Sequence, residues 1–117
     1  MDKIIISELE VFYQVGITEA ERAKPQRLLL TVEMAHDFKA AAARDDLAET
    51  IDYAALSEWL LRFGEGSHWA LIETLAADLA AMILDRFSPK QVTVEVKKFS
   101  VPQARYVAVR VTRPVKL

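Results

Sequence analysis

Three observations on this 117-residue sequence predict an α+β fold. Four stretches alternate apolar and polar residues with period two: Lys3–Val15, Gln26–Ala35, Gln91–Lys98 and Tyr106–Thr112. Two others, Tyr53–Phe63 and the run from Ser67 to Phe87, repeat apolar residues at helical spacing. The resulting order, β-β-α-α-β-β, segregates strands from helices and lays both helices on one face of a four-stranded antiparallel sheet. The length suits a single domain over residues 1–117.

In the first strand Ile4 and Ile6 share one phase, and Leu9, Val11, Tyr13 and Val15 the other. The switch at Ser7–Glu8 predicts a β-bulge. Gly16 ends the strand, and Ile17–Arg22 is long enough for one helical turn before Pro25 blocks it. In the second strand Leu28, Leu30, Val32 and Met34 face one way, and the short connection makes an antiparallel pair natural. His36–Thr50 reads as a polar loop with a helical turn, and Asp45–Asp46 as a solvated turn. Asp52 is placed to N-cap the first helix, with Leu56, Leu60 and Phe63 inward and Gly64 and Gly66 after its end. Ser67 is a candidate N-cap for the second helix, whose stripe is Leu71, Leu75, Leu79, Met82 and Ile83. The two helices are expected to pack antiparallel. Ser88–Pro89 stops the second, and a loop containing Pro102 joins the last two strands.

Composition narrows the function. Fifteen basic and 17 acidic residues leave a net charge of −2, so there is no basic footprint for nucleic acid. A 52% hydrophobic content leaves apolar surface for partner subunits. With no cysteine, disulfides, thiolate chemistry and Cys-ligated zinc are excluded, and a reducing cytoplasm fits. The apolar run in Met1–Ile6 is too short for a signal peptide or a membrane span, so a cytoplasmic protein with no membrane partner is expected.

Four residues invite chemistry. Glu73 lies off the apolar stripe at the head of a lane of small residues, Ala76, Ala77 and Ala80. It either grips a body that approaches along that lane or complements the helix dipole. Lys98 continues the Val92-Val94-Val96 row, where a lysine must snorkel, pair or lower its pKa, unless the strand has already ended and it points to water. Lys97 is the ordinary solvent-facing lysine. Tyr53 sits in the first turn of the first helix, at a core edge or as a proton donor. Glu21, in the turn after Gly16, carries no signal by itself.

Together these positions resemble the dihydroneopterin aldolase family over nearly the whole chain. The match runs through Gly16 with Glu21, Ile51-Asp52-Tyr53, Ala70-Leu71-Ile72-Glu73-Thr74-Leu75-Ala76 and Val94-Glu95-Val96-Lys97-Lys98. The resemblance implies the tunnelling fold, in which four subunits close one barrel and two rings stack into an octamer, so a homo-tetramer or homo-octamer is expected. It implies a pterin held by Glu73 and the Ile72 backbone, with Tyr53 and the Ile51–Asp52 backbone supplied by the adjacent subunit. It also implies Lys98, Tyr53 and Glu21 around the reacting side chain. The activity implied is retro-aldol cleavage of 7,8-dihydroneopterin in folate synthesis, with C2′ epimerisation alongside, and neither metal nor cofactor. Phe99-Ser100 departs from the family, where Pro commonly follows the lysine; Gln14-Val15 departs from its aromatic-His pair.

Other readings stand beside this one. A dihydroneopterin triphosphate epimerase would use Arg105 and Lys97 on the phosphates. A non-catalytic pterin-binding or assembly module would make Tyr53, Glu73 and Lys98 structural. A zinc aldolase is disfavoured with only His36 and His68 available, and a Schiff-base route through Lys98 is open to borohydride trapping.

Overall fold

The computed structural model describes residues 1–115. Strands β1 (Lys3–Val15), β2 (Gln26–Ala35), β4 (Gln91–Lys98) and β5 (Val107–Arg113) form an antiparallel sheet in the order β1-β2-β4-β5. The expected bulge is present. Ile6 pairs with Val32 and Leu9 with Leu30, so Ser7 and Glu8 together oppose Thr31. Glu8 takes φ 55°, and its displaced amide donates to the Thr31 hydroxyl at 3.1 Å. That extra residue swaps the inward phase, which puts Val11, Tyr13 and Val15 in the core.

The described residues also form four α-helices: α1 (Glu19–Arg22), α2 (Lys39–Arg44), α3 (Tyr53–Arg62) and α4 (Ile72–Phe87). α2 and a 3₁₀ turn at Leu47–Glu49 give the 36–50 segment more order than a loop with one turn. Asp46 is less a solvated turn than a cap, its carboxylate accepting from the Ala48 amide at 3.0 Å. Asp52 caps α3 as expected, accepting from the Ala55 amide at 3.0 Å. Four residues before α3, the Glu49 carbonyl is bonded by the His36 ring at 3.0 Å; near the end of α3, the Leu60 carbonyl accepts from the Tyr13 hydroxyl at 2.6 Å. α4 runs back the other way. The helices are therefore antiparallel, with α3 over β1 and α4 over β4 and β5. One apolar core fills the space between helices and sheet.

The start of α4 differs from the expectation. Ser67 is not its N-cap. Its amide closes a turn onto the Gly64 carbonyl at 3.2 Å, and His68–Trp69 form a short fifth strand, β3, parallel to the end of β1. The Gly16 amide donates to the Trp69 carbonyl at 3.0 Å. Strand pairing takes these residues because the end of β1 offers free backbone groups that a helix starting at Ser67 would leave unmet. The helix begins only after Leu71, which is extended and exposed. The buried stripe is consequently Ile72, Leu75, Ala76, Leu79, Ala80 and Ile83. Ala76 and Ala80 are fully buried, so the body that approaches this lane is the chain's own core.

Candidate active site

Lys98 sits where the period-two reading puts it. β4 alternates strictly, with Val92, Val94, Val96 and Lys98 inward, and Lys98 is only 9% exposed. Of the escapes open to a buried lysine, the structure shows pairing: its Nζ donates to Glu21 Oε2 at 3.3 Å. The pair joins residues 77 positions apart in sequence.

Glu21 is aimed by its local structure. Thr18 caps α1 by accepting from the Glu21 amide at 3.2 Å, and Glu21 Oε1 accepts in return from the Thr18 amide and hydroxyl at 3.4 and 3.3 Å. The other oxygen is left for Lys98. Gly16 is required by close approach, since a side chain there would run into the Glu21 Cβ. The Lys98 hydrogen bond, helped by the Thr18 amide, holds the Glu21 carboxyl below the usual carboxylate range.

Ile72 and Glu73 open α4 at the same end of the sheet. β3 delivers them there by pairing with β1 at Gln14 and Val15. Trp69 locks this junction: its indole N–H donates to Asp78 at 2.9 Å, and its ring stacks on Phe63 at 5.6 Å and lies 5.8 Å from Tyr13. Glu73 itself is exposed and Ile72 buried.

Ile51, Asp52 and Tyr53 are not brought to this cluster. Tyr53 is 60% exposed and opens α3 toward the His36 end. It precedes Leu60 by about 10 Å of helix, at about 1.5 Å per residue, and Leu60 is held at the Tyr13 level. The chain thus divides the predicted residues in two: Glu21, Ile72, Glu73 and Lys98 at one end of the sheet, Ile51, Asp52 and Tyr53 at the start of α3, with Ile51 buried in the core and Tyr53 exposed. A concavity of about 570 Å³ on α3 is lined by Ala55, Glu58, Trp59, Arg62 and Phe63, none of them a predicted site residue.

Lys97 is not the free, solvent-facing lysine expected. It lies on the helix-free face, where its side chain is 15% exposed, bonded to Glu8 at 2.8 Å, near Glu95 at 3.8 Å and over the Tyr106 ring. The β1 bulge turns Glu8 toward it, a pairing that only the folded sheet reveals. The sequence reading also gave no site role to Gln14, Gln26, Thr18 or Trp69. Of these only Thr18 carried a signal, the Thr-x-x-Glu spacing of a capping box. Among the described residues, no three His, Asp or Glu side chains are grouped to hold a metal ion, and no helix is long and apolar enough to cross a membrane.

An α+β chain with a curled, mostly antiparallel sheet, two long helices on one face and the Lys98–Glu21 pair at the sheet's end is a tunnelling-fold protein. The sequence profile of the dihydroneopterin aldolase family matches residues 4–112. The chain belongs to that family. It is 34% identical to the dihydroneopterin aldolase of Haemophilus influenzae over 97% of both chains, and 33% identical to that of Bacillus subtilis over 97% of this chain and 98% of the other. The crystal structure of Escherichia coli dihydroneopterin aldolase in complex with neopterin superimposes with a TM-score of 0.90 at 32% identity, covering 97% of this chain and 99% of that one.

Proposed function

We propose that the chain is a 7,8-dihydroneopterin aldolase, a lyase that releases 6-hydroxymethyl-7,8-dihydropterin and glycolaldehyde. The observation that carries this is the buried Lys98 paired with Glu21 at the end of the sheet where α4 presents Ile72 and Glu73. In this reading the Glu73 carboxylate accepts from the 2-amino and N3 hydrogens of the pterin, a charge-assisted bidentate contact, and the Ile72 backbone adds to it. Lys98, in its unprotonated form and working through water, takes the proton of the 2′-hydroxyl. The C1′–C2′ bond breaks, glycolaldehyde leaves, and the bonding electrons move into the pterin's N5=C6 system to give an enol. Tyr53 delivers a proton to C1′. Reprotonation after re-addition on the other face accounts for C2′ epimerisation. Because the pterin is its own electron sink, this route calls for neither a metal nor a Schiff base.

Tyr53 must then come from a second copy, together with the Ile51–Asp52 backbone. Support comes from the sheet itself, whose β5 edge is unpaired among the described residues. Joining such edges between subunits closes a barrel and removes an aggregation-prone edge. A homo-tetramer or a stacked octamer is the assembly proposed. The ion pairs of Lys97 argue against the triphosphate epimerase reading, since a phosphate-binding lysine should be free. Incubation with 7,8-dihydroneopterin and analysis for the hydroxymethyl product and glycolaldehyde tests the activity; recovery of unchanged substrate alone would refute it.

A further inference from the structure

α1 has four residues, and a helix that short does not hold itself together. Yet its Glu21 must keep one carboxylate oxygen at Lys98. The capping box cannot supply that fixity, because Thr18 and Glu21 belong to the same short segment and would move together. The external tether is Gln26. Its side-chain amide donates to the carbonyl of Val15, at the end of β1, and to the carbonyl of Glu21 at 3.3 Å. Gln26 opens β2, the strand that sets the register of β4, and Leu28, two residues on, lies opposite Lys98. One amide therefore ties the backbone of the acid to the strand that positions the amine. Gln14 ties the next carbonyl along, donating to that of Arg22 at 2.9 Å.

We propose that Gln26 is a positioning residue for the reacting centre, acting through Glu21 on Lys98. This rests on the reading of the Glu21–Lys98 pair as part of the catalytic apparatus. Without the amide, two carbonyls lose their donor, the turn shifts on its own cap, and the carboxylate leaves Lys98 while Lys98 stays in its strand.

The test is a double-mutant cycle in the full-length assembly with 7,8-dihydroneopterin, using Gln26→Met, Glu21→Ala and the pair together. Gln26→Met is expected to lower kcat by about tenfold, the upper end of what one lost hydrogen bond between neutral groups costs, with KM nearly unchanged. Added to Glu21→Ala it should cost nothing further, because both act through one contact. The acid limb of the pH–rate profile should move up in Gln26→Met, since Glu21 loses the hydrogen bond that holds its pKa down. Should Gln26→Met fail to assemble, Gln14→Met releases the same turn at the adjacent Arg22 carbonyl and carries the same expected pattern. Full turnover in Gln26→Met alongside a damaged Glu21→Ala, or additive losses in the double variant, would overturn the tether. Full turnover in Glu21→Ala would instead remove the underlying reading of the pair.

Discussion

The two ends of the sheet are built to different standards. At the Lys98 end, polar side chains are committed: Glu21 divides its oxygens between Thr18 and Lys98, Gln26 bridges two carbonyls, and Trp69 bonds Asp78. At the start of α3, Asp52 is spent on its cap, while the Tyr53 ring stands exposed and its hydroxyl bonds nothing among the described residues. A phenol left this open contributes little to holding the fold. The contrast teaches that one chain fixes the Lys98–Glu21 pair and leaves the tyrosine outward, where the proposed two-chain site would take it from a neighbour.

The largest expected effect falls on the preorganised end. Lys98→Ala should lower turnover by about 10²–10⁴-fold, as loss of a general base does, with pterin affinity little changed in a binding titration. Next is Glu73→Ala. Its exposed position predicts intact folding, and loss of a charge-assisted contact of about 1.5–3 kcal/mol predicts a loss of pterin affinity of roughly tenfold to a hundredfold or more. Unchanged affinity by calorimetry would reduce Glu73 to a dipole-compensating surface residue. Tyr53→Phe should keep binding and slow release of the hydroxymethyl product; equal loss of affinity and turnover would make the phenol a substrate-positioning group.

Acidification separates the two sheet faces. Glu21 and Glu8 are both held below the ordinary carboxylate range by their lysines. Each therefore contributes stability above its unfolded pKa, about 4.3, and loses it as pH falls through the lower folded value. Melting temperature should drop below about pH 4, and Glu8→Gln should soften that drop without touching turnover. Lys97 has the opposite sign. Its pKa is raised by Glu8, so its contribution holds below the lysine's unfolded value and fades as pH rises through the folded one. The smallest effect belongs to Lys97→Ala: a slight fall in melting temperature and full activity. A damaging Lys97→Ala would mean that the catalytic lysine had been assigned to the wrong face.

Much of this was legible in the sequence because period-two patterns report which side of a strand is buried. The bulge at Ser7–Glu8 and the inward Lys98 both follow from phase alone. β3 was not legible: two residues have no period, and Ser67 imitates an N-cap. The partner of Lys97 was hidden because a bulge in one strand and a register across another must be known together to place Glu8 beside it. The small-residue lane was misread for a different reason: alanine spacing tells that something comes close, not whether it is a ligand or the chain's own sheet. For the candidate residues, local pattern found Lys98, whereas Glu21, Tyr53 and Glu73 drew their weight from family resemblance.

The division of the site between copies can be tested by mixing subunits. Lys98→Ala and Tyr53→Phe proteins, each with lowered aldolase turnover alone, are dissociated, combined and reassembled, with mass tags to verify exchange. If Lys98 of one chain works with Tyr53 of its neighbour, mixed assemblies contain sites with both native residues, and aldolase turnover returns. If exchange is complete and turnover stays at the level of the separate variants, the two residues do not meet across an interface, and the two-chain site is wrong.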